Sequence, residues 1–245
     1  QFNAFGGRHG YRGLINPFVP GLGLDGKLEM RATDVGAMAR AMGLPLQSVP
    51  TGVLVIDAPV KTEGGEIRVA DLSGRLGESA LKGNFSLSPG GIVKADLQTG
   101  PMHLADLLSA AFLEWRGAAP SRESSFSVGL PLGLTGEFWI TPSRLTLHEH
   151  LVADGALVGI VATGSETRFT LRNKDGEGRD TKLEIGAAGG SGTRTIDGSL
   201  TLPVNLGTDL VRADGGSVAE GQGAITLAFK GEGRSPAGVL AALTG

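Results

Sequence analysis

Cysteine is absent from the 245 residues. Disulfides, thiolate metal centres and a cysteine nucleophile are therefore excluded, although the compartment is not fixed by that absence. Aromatic residues make up only 5%, with one Tyr and two Trp, too few for the girdles of a transmembrane β-barrel. No apolar run has the length of a membrane-spanning helix. The net charge of −3 and the lack of a Lys/Arg cluster give no phosphate-binding face, so nucleic acid is not an expected partner. QFNAFGGRHGYRG lacks the charged, apolar, small-residue order of a signal peptide and has no initiator Met, so the chain reads as part of something longer.

What is present in excess is glycine, 41 residues, with 40% hydrophobic content. That combination suits many hairpins and disfavours long helices, while being too apolar for disorder. Residues Gln1–Gly23, rich in Gly, Pro and aromatics, read as an N-terminal loop segment. From Lys27 the alternation is clean, with Leu28, Met30 and Ala32 on one face. Thr33 or Asp34 then caps a helix carrying Val35, Met38, Ala39 and Met42. Strands follow at Val53–Val60, Glu66–Leu72, Ala80–Leu87 and Ile92–Leu97, and a helix at His103–Trp115.

Gly117–Ser125 reads as a linker between a first strand block, 24–116, and a second, 126–245. Strands in the second block are expected near Ser127–Ile140, Arg144–Val152, Ala156–Thr163, Thr167–Arg172, Thr181–Ala187, Arg194–Leu202 and Ser217–Lys230. Ser235 and Pro236 open a closing helix over Pro236–Leu243. A strand running through a break into a short apolar helix thus recurs at Lys27–Gly43, Ile92–Phe112 and Ala224–Gly245, the mark of a repeat architecture. The fold class is mainly β: repeated antiparallel strands in a curved open sheet or groove, with short helices at block ends.

Candidate chemical motifs are few. Gly21–Gly26 matches G-x-G-x-x-G, but a Pro-containing loop precedes it and a strand follows, the wrong context for a phosphate loop. Gly231–Gly238 reads as a strand-to-helix corner without the Gly-Lys-Ser/Thr of a P-loop. His148 and His150 would sit on one face of a strand; as a zinc pair they want a third ligand. Asn84-Phe85-Ser86 is a formal glycosylation sequon inside a strand. No catalytic residue, metal or cofactor is assigned; a hydrolase using His148 or His150 is the least favoured option.

The remaining pattern is a set of one-sided apolar strands: Leu28, Met30, Ile67, Val69, Leu81, Phe85, Leu87, Val93, Leu97, Leu200, Leu202, Ile225, Leu227 and Phe229. Either they fill an ordinary core, or they line an apolar groove left partly open, which would take acyl chains.

The segment FKGEGRSPAGVLAALTG at the end of the chain resembles the strand, G-x-G-x-S, helix close of AsmA-like envelope proteins. Leu24–Leu108 resembles their repeat, most specifically D-L-x-G-R-L-G-x-S-x-L-x-G-x-x-x-L ending at Leu87. The likeness is least over Gln1–Gly23 and Thr141–Ala187. The resemblance implies a β-taco-like groove, a periplasmic location, and an inner-membrane anchor through a segment not in this chain. It also implies a non-enzymatic role in phospholipid transport between envelope membranes or in outer-membrane assembly. The alternative is a structural or adaptor β-sandwich that binds another envelope protein.

Overall fold

The computed structural model describes residues 1–4, 6–18, 23–41, 52–112, 135–148, 151–174, 180–189, 194–206 and 221–233. The fold is mainly β, with two short helices. One large sheet contains thirteen strands, and it is curved and open rather than closed into a barrel.

The strands of the first half are β1 (Phe2–Ala4), β2 (Gly7–Asn16), β3 (Gly23–Ala32), β4 (Leu54–Glu63), β5 (Glu66–Leu76), β6 (Ser79–Leu87) and β7 (Ile92–Thr99). They pair antiparallel in sequence order. Glu63 and Glu66 face each other across Gly64 (φ 59) and Gly65 (φ 84), the two positive angles that a tight hairpin of matching twist demands. Helix α1 (Val35–Ala41) follows β3, and the Asp34 carboxylate caps it by accepting the Ala37 N–H at 2.7 Å.

The expectation of a loop over Gln1–Gly23 is corrected: β1 and β2 lie there. The core-side positions of β2 are His9, Tyr11, Gly13 and Ile15, so the alternation is broken by small and polar residues. Gly13 pairs directly with Gly26, and the Tyr11 hydroxyl lies 2.9 Å from where a Cβ would stand on either. The tyrosine fills the gap that two glycines leave on the sheet.

β5 runs past the expected Leu72 to Leu76 because it carries a bulge. Val69 pairs with Phe85 and Leu72 with Gly83, so Ala70 and Asp71 face a single residue, Asn84. The extra residue shifts the alternation from Ile67/Val69 to Leu72/Gly74/Leu76, which hides the second half of the strand from a period-two reading.

After β7, a two-residue strand β8 (Met102–His103) leads into α2 (Leu104–Phe112). The next strand, β9 (Thr135–Pro142), pairs with β7 in parallel. The second strand–helix unit is thus a crossover, whereas α1 returns the chain antiparallel through β4. The two sequence blocks share one sheet at this junction. Beyond it, β12 (Leu157–Ala162), β13 (Glu166–Lys174), β14 (Asp180–Gly189), β15 (Arg194–Leu206) and β16 (Gly221–Gly233) add in antiparallel order.

β10 (Leu145–His148) and β11 (Leu151–Ala153) form a hairpin that joins β8 in a small second sheet. The single strand expected over Arg144–Val152 is therefore corrected. The chain reverses after His148, which pairs with Leu151, and this puts buried Leu145 opposite buried Ala153. β10 ends at His148, and His150 lies outside the described residues. β16 also extends to Gly233, pairing it with Arg194, so Gly231–Gly233 is strand rather than corner. The linker at 117–125 and the closing helix at 236–243 lie outside the described residues.

Candidate functional site: one apolar face under uneven cover

Directly opposed residues in a sheet project to the same side. One such row crosses the sheet through Val60, Val69, Phe85, Ala95, Phe138, Ile160, Phe169 and Ile185, continuing to Gly198 and the Phe229 position. A neighbouring row runs Leu97, Ile140, Val158, Leu171, Leu183, Leu200, Leu227. A third holds Ile67, Leu87 and Val93. Leu28 and Met30 pair with Ala58 and Ile56, and Leu81 with Gly74, on the same side. Leu202 and Ile225 pair with each other in the same ladder. The structure therefore brings the sequence candidates whose side chains are described onto one face, spread from β3 to β16.

Cover over that face is uneven. α2 presents Leu104, Leu107, Leu108, Ala111 and Phe112, a helical stripe, and these pack with Val158, Ile160, Phe169, Leu171, Leu183 and Ile185. Phe112 and Phe169 meet at 6.4 Å between ring centres, tilted by 51°. This part is a closed core, and Leu200 packs at its margin. At the other side, α1 sets Val35 and Met38 on Ala32 and Leu54, with Met30 at the edge.

Between the two lies a third cluster: Ala58, Val60 and Val69, flanked by half-buried Tyr11, Leu24, Leu28, Ile67, Leu72 and Phe85. Among the described residues no helix contributes to it. Leu81, Leu87 and Leu97 are likewise half-buried, whereas Val93 is buried. Leu227, at the far margin, is 57% exposed.

The opposite face is charged. The row beside the apolar one reads Asp25, Lys61, Arg68, Ser86, Lys94, Glu137. Lys61 and Arg68 contact Glu63 at 2.7 and 3.1 Å, and Arg68 holds Glu66 at 2.7 Å. The hydrogen bond from Lys61 holds Glu63 below its ordinary pKa, and the one from Arg68 does the same for Glu66. These groups are solvated and linked to one another, not aimed into an enclosed site. Among the described residues no group of three His, Asp or Glu side chains could hold a metal.

Two features were not visible in the sequence. An open depression of about 330 Å³ lies on the charged face, among Arg68, Ala70, Asn84, Lys94, Glu137 and Trp139. It sits where the β5 bulge disturbs the sheet, and Asn84 belongs to that bulge. His9 is buried, with Nε2 3.0 Å from the Ala4 carbonyl oxygen; a single imidazole in a glycine-rich stretch gave no signal of this.

No family model matches the chain, and neither a curated protein nor a solved structure matches it. Among the described residues no helix is long and apolar enough to cross a membrane.

Proposed function

We propose that this chain is a non-enzymatic lipid-handling module whose apolar sheet face takes acyl chains over the middle cluster. The observation that carries the reading is the gap in cover there: Leu28, Ile67, Leu72 and Phe85 lie side by side, half-buried, with no helix of the described residues laid across them. Such a strip offers apolar contact along several strands. The likeness of Leu24–Leu108 to the AsmA-like repeat supports it and suggests the setting: a periplasmic protein held at the inner membrane, passing phospholipid toward the outer membrane.

Native mass spectrometry of the gently extracted chain tests the reading. Co-purified phospholipid is expected, and Phe85→Asp is expected to abolish it while the chain stays folded. A lipid-free protein, or one that unfolds on Phe85→Asp, would mean a closed core instead.

A second reading, an adaptor domain, is favoured by one observation. β16 is a thirteen-residue edge strand of the large sheet, and Leu227 on it is exposed. A partner chain could add a strand there.

A further inference from the structure

Three of the large apolar side chains most open to solvent fall within five residues at the end of the β2–β3 hairpin: Phe18 at 94%, Leu14 at 75% and Ile15 at 58%. Leu14 and Ile15 are successive strand residues and project to opposite sides. The hairpin end is thus apolar on both sides and at its turn. A pocket on another protein would match one side; a medium that surrounds the tip matches all three.

The backbone of this end is prepared for such a medium. Tyr11 donates its hydroxyl hydrogen to the Leu14 carbonyl at 2.9 Å, and the Asn16 side chain accepts the Phe18 N–H at 3.0 Å. Both contacts satisfy backbone polar groups from within the chain, lowering the penalty for entering hydrocarbon.

Charge points the same way. β2 and β3 carry Arg8, Arg12, Lys27 and Arg31 against Asp25 and Glu29, a positive hairpin in a chain whose net charge is −3. Arg12 lies directly opposite Lys27; the Lys27 ammonium is engaged by Asp57 at 2.6 Å, which leaves Arg12 as the cation at this level that can meet an outside anion. Arg12 stands two residues behind Leu14, about 7 Å along the strand. That spacing suits cations at the headgroups with apolar side chains about 5–10 Å deeper.

We propose that the β2–β3 hairpin end seats in an anionic lipid surface, with Phe18 among the acyl chains, Leu14 and Ile15 at the headgroup–acyl boundary, where Asp25 opposite Leu14 keeps its contact with water, and Arg12 at the phosphates. This extends the lipid-handling reading to how the module reaches its lipid, and the two can fail separately.

The test is flotation of the full chain with vesicles of phosphatidylcholine plus phosphatidylglycerol, and with vesicles of phosphatidylcholine alone. The chain is expected to float with the mixed vesicles and less with the neutral ones. Phe18→Asp combined with Leu14→Gln should weaken association at least about tenfold without lowering the melting temperature, since both side chains face solvent. Arg12→Glu should remove most of the preference for the anionic vesicles. Phe85→Asp should leave flotation intact even where it strips co-purified lipid. Three results would overturn the proposal: no flotation, flotation indifferent to the tip substitutions, or an anionic preference unchanged by Arg12→Glu. So would a dimer in solution that Phe18→Asp dissociates without any vesicle binding, which would assign the tip to a second copy of the chain.

Discussion

The side-chain oxygen of Asn84 accepts a hydrogen bond from the backbone N–H of Asp71 at 3.1 Å. Among the described residues Asp71 is the non-glycine residue with positive φ, 52°, and it is the extra residue of the β5 bulge. An Asp tolerates this left-handed backbone better than most residues, and the amide oxygen of Asn84 satisfies the N–H that the bulge removes from the ladder. Asn84→Ala is therefore expected to lower stability by about 1 kcal/mol. Asp71→Ala should destabilise by a similar amount, while Asp71→Gly should be close to neutral. Urea denaturation of the three variants checks the order, and an Asp71→Gly variant less stable than Asp71→Ala would refute the account.

Cover over the apolar face predicts unequal penalties for equal truncations. Phe169→Ala removes a ring sealed under α2 and should lower stability by about 3–5 kcal/mol. Phe85→Ala removes a half-buried ring and should lower it by about half as much or less. Equal losses in chemical denaturation would mean that the middle cluster is as closed as the one beneath α2.

The parallel junction depends on a residue without a side chain. Gly136 has φ 142°, and a Cβ there would stand 1.8 Å from the Val93 carbonyl oxygen across the β7–β9 pair. Gly136→Ala should destabilise by about 2–4 kcal/mol through clash and strained backbone together. Gly164, with open space around it, should accept Ala with little change. Thermal unfolding of both, side by side, provides the check.

Acid should loosen the β4–β5 hairpin. Glu63 and Glu66 are held below 4.5 in the folded chain, chiefly by hydrogen bonds from Lys61 and Arg68 respectively. A depressed carboxylate stabilises the fold above its unfolded pKa, and that contribution is lost as pH falls through the lower folded value. The melting temperature should thus decline below about pH 4.5, with the decline reduced in Lys61→Met/Arg68→Met and by added salt. Both carboxylates are solvated, so the effect is modest. An acid limb unchanged by the double substitution would assign it to other groups.

Much of the fold was legible in the chain because it is local. Lys27–Ala32 and Ala80–Leu87 announce their faces by alternation, and Gly64-Gly65 announces its turn. Thr33 and Asp34 announce the start of α1, and the structure gives the cap to Asp34 while Thr33 donates to the Gly6 carbonyl. The misread places are those where local sequence carries the wrong period. In β2 glycines occupy core-side positions, in β5 an inserted residue flips the phase, and after His148 the chain reverses without a Gly or Pro to mark it.

What sequence alone determined is therefore which side of most strands is apolar, since that follows from side chains two residues apart. Only the tertiary structure decided that these sides join into one face across β7 and β9, because a parallel pair is set by where a crossover lands. It also decided that α2 seals the stretch from β12 to β14 while, among the described residues, no helix lies over the middle cluster. Cover is a long-range matter, fixed by which surfaces meet once the chain has folded, and no periodicity within a strand encodes it.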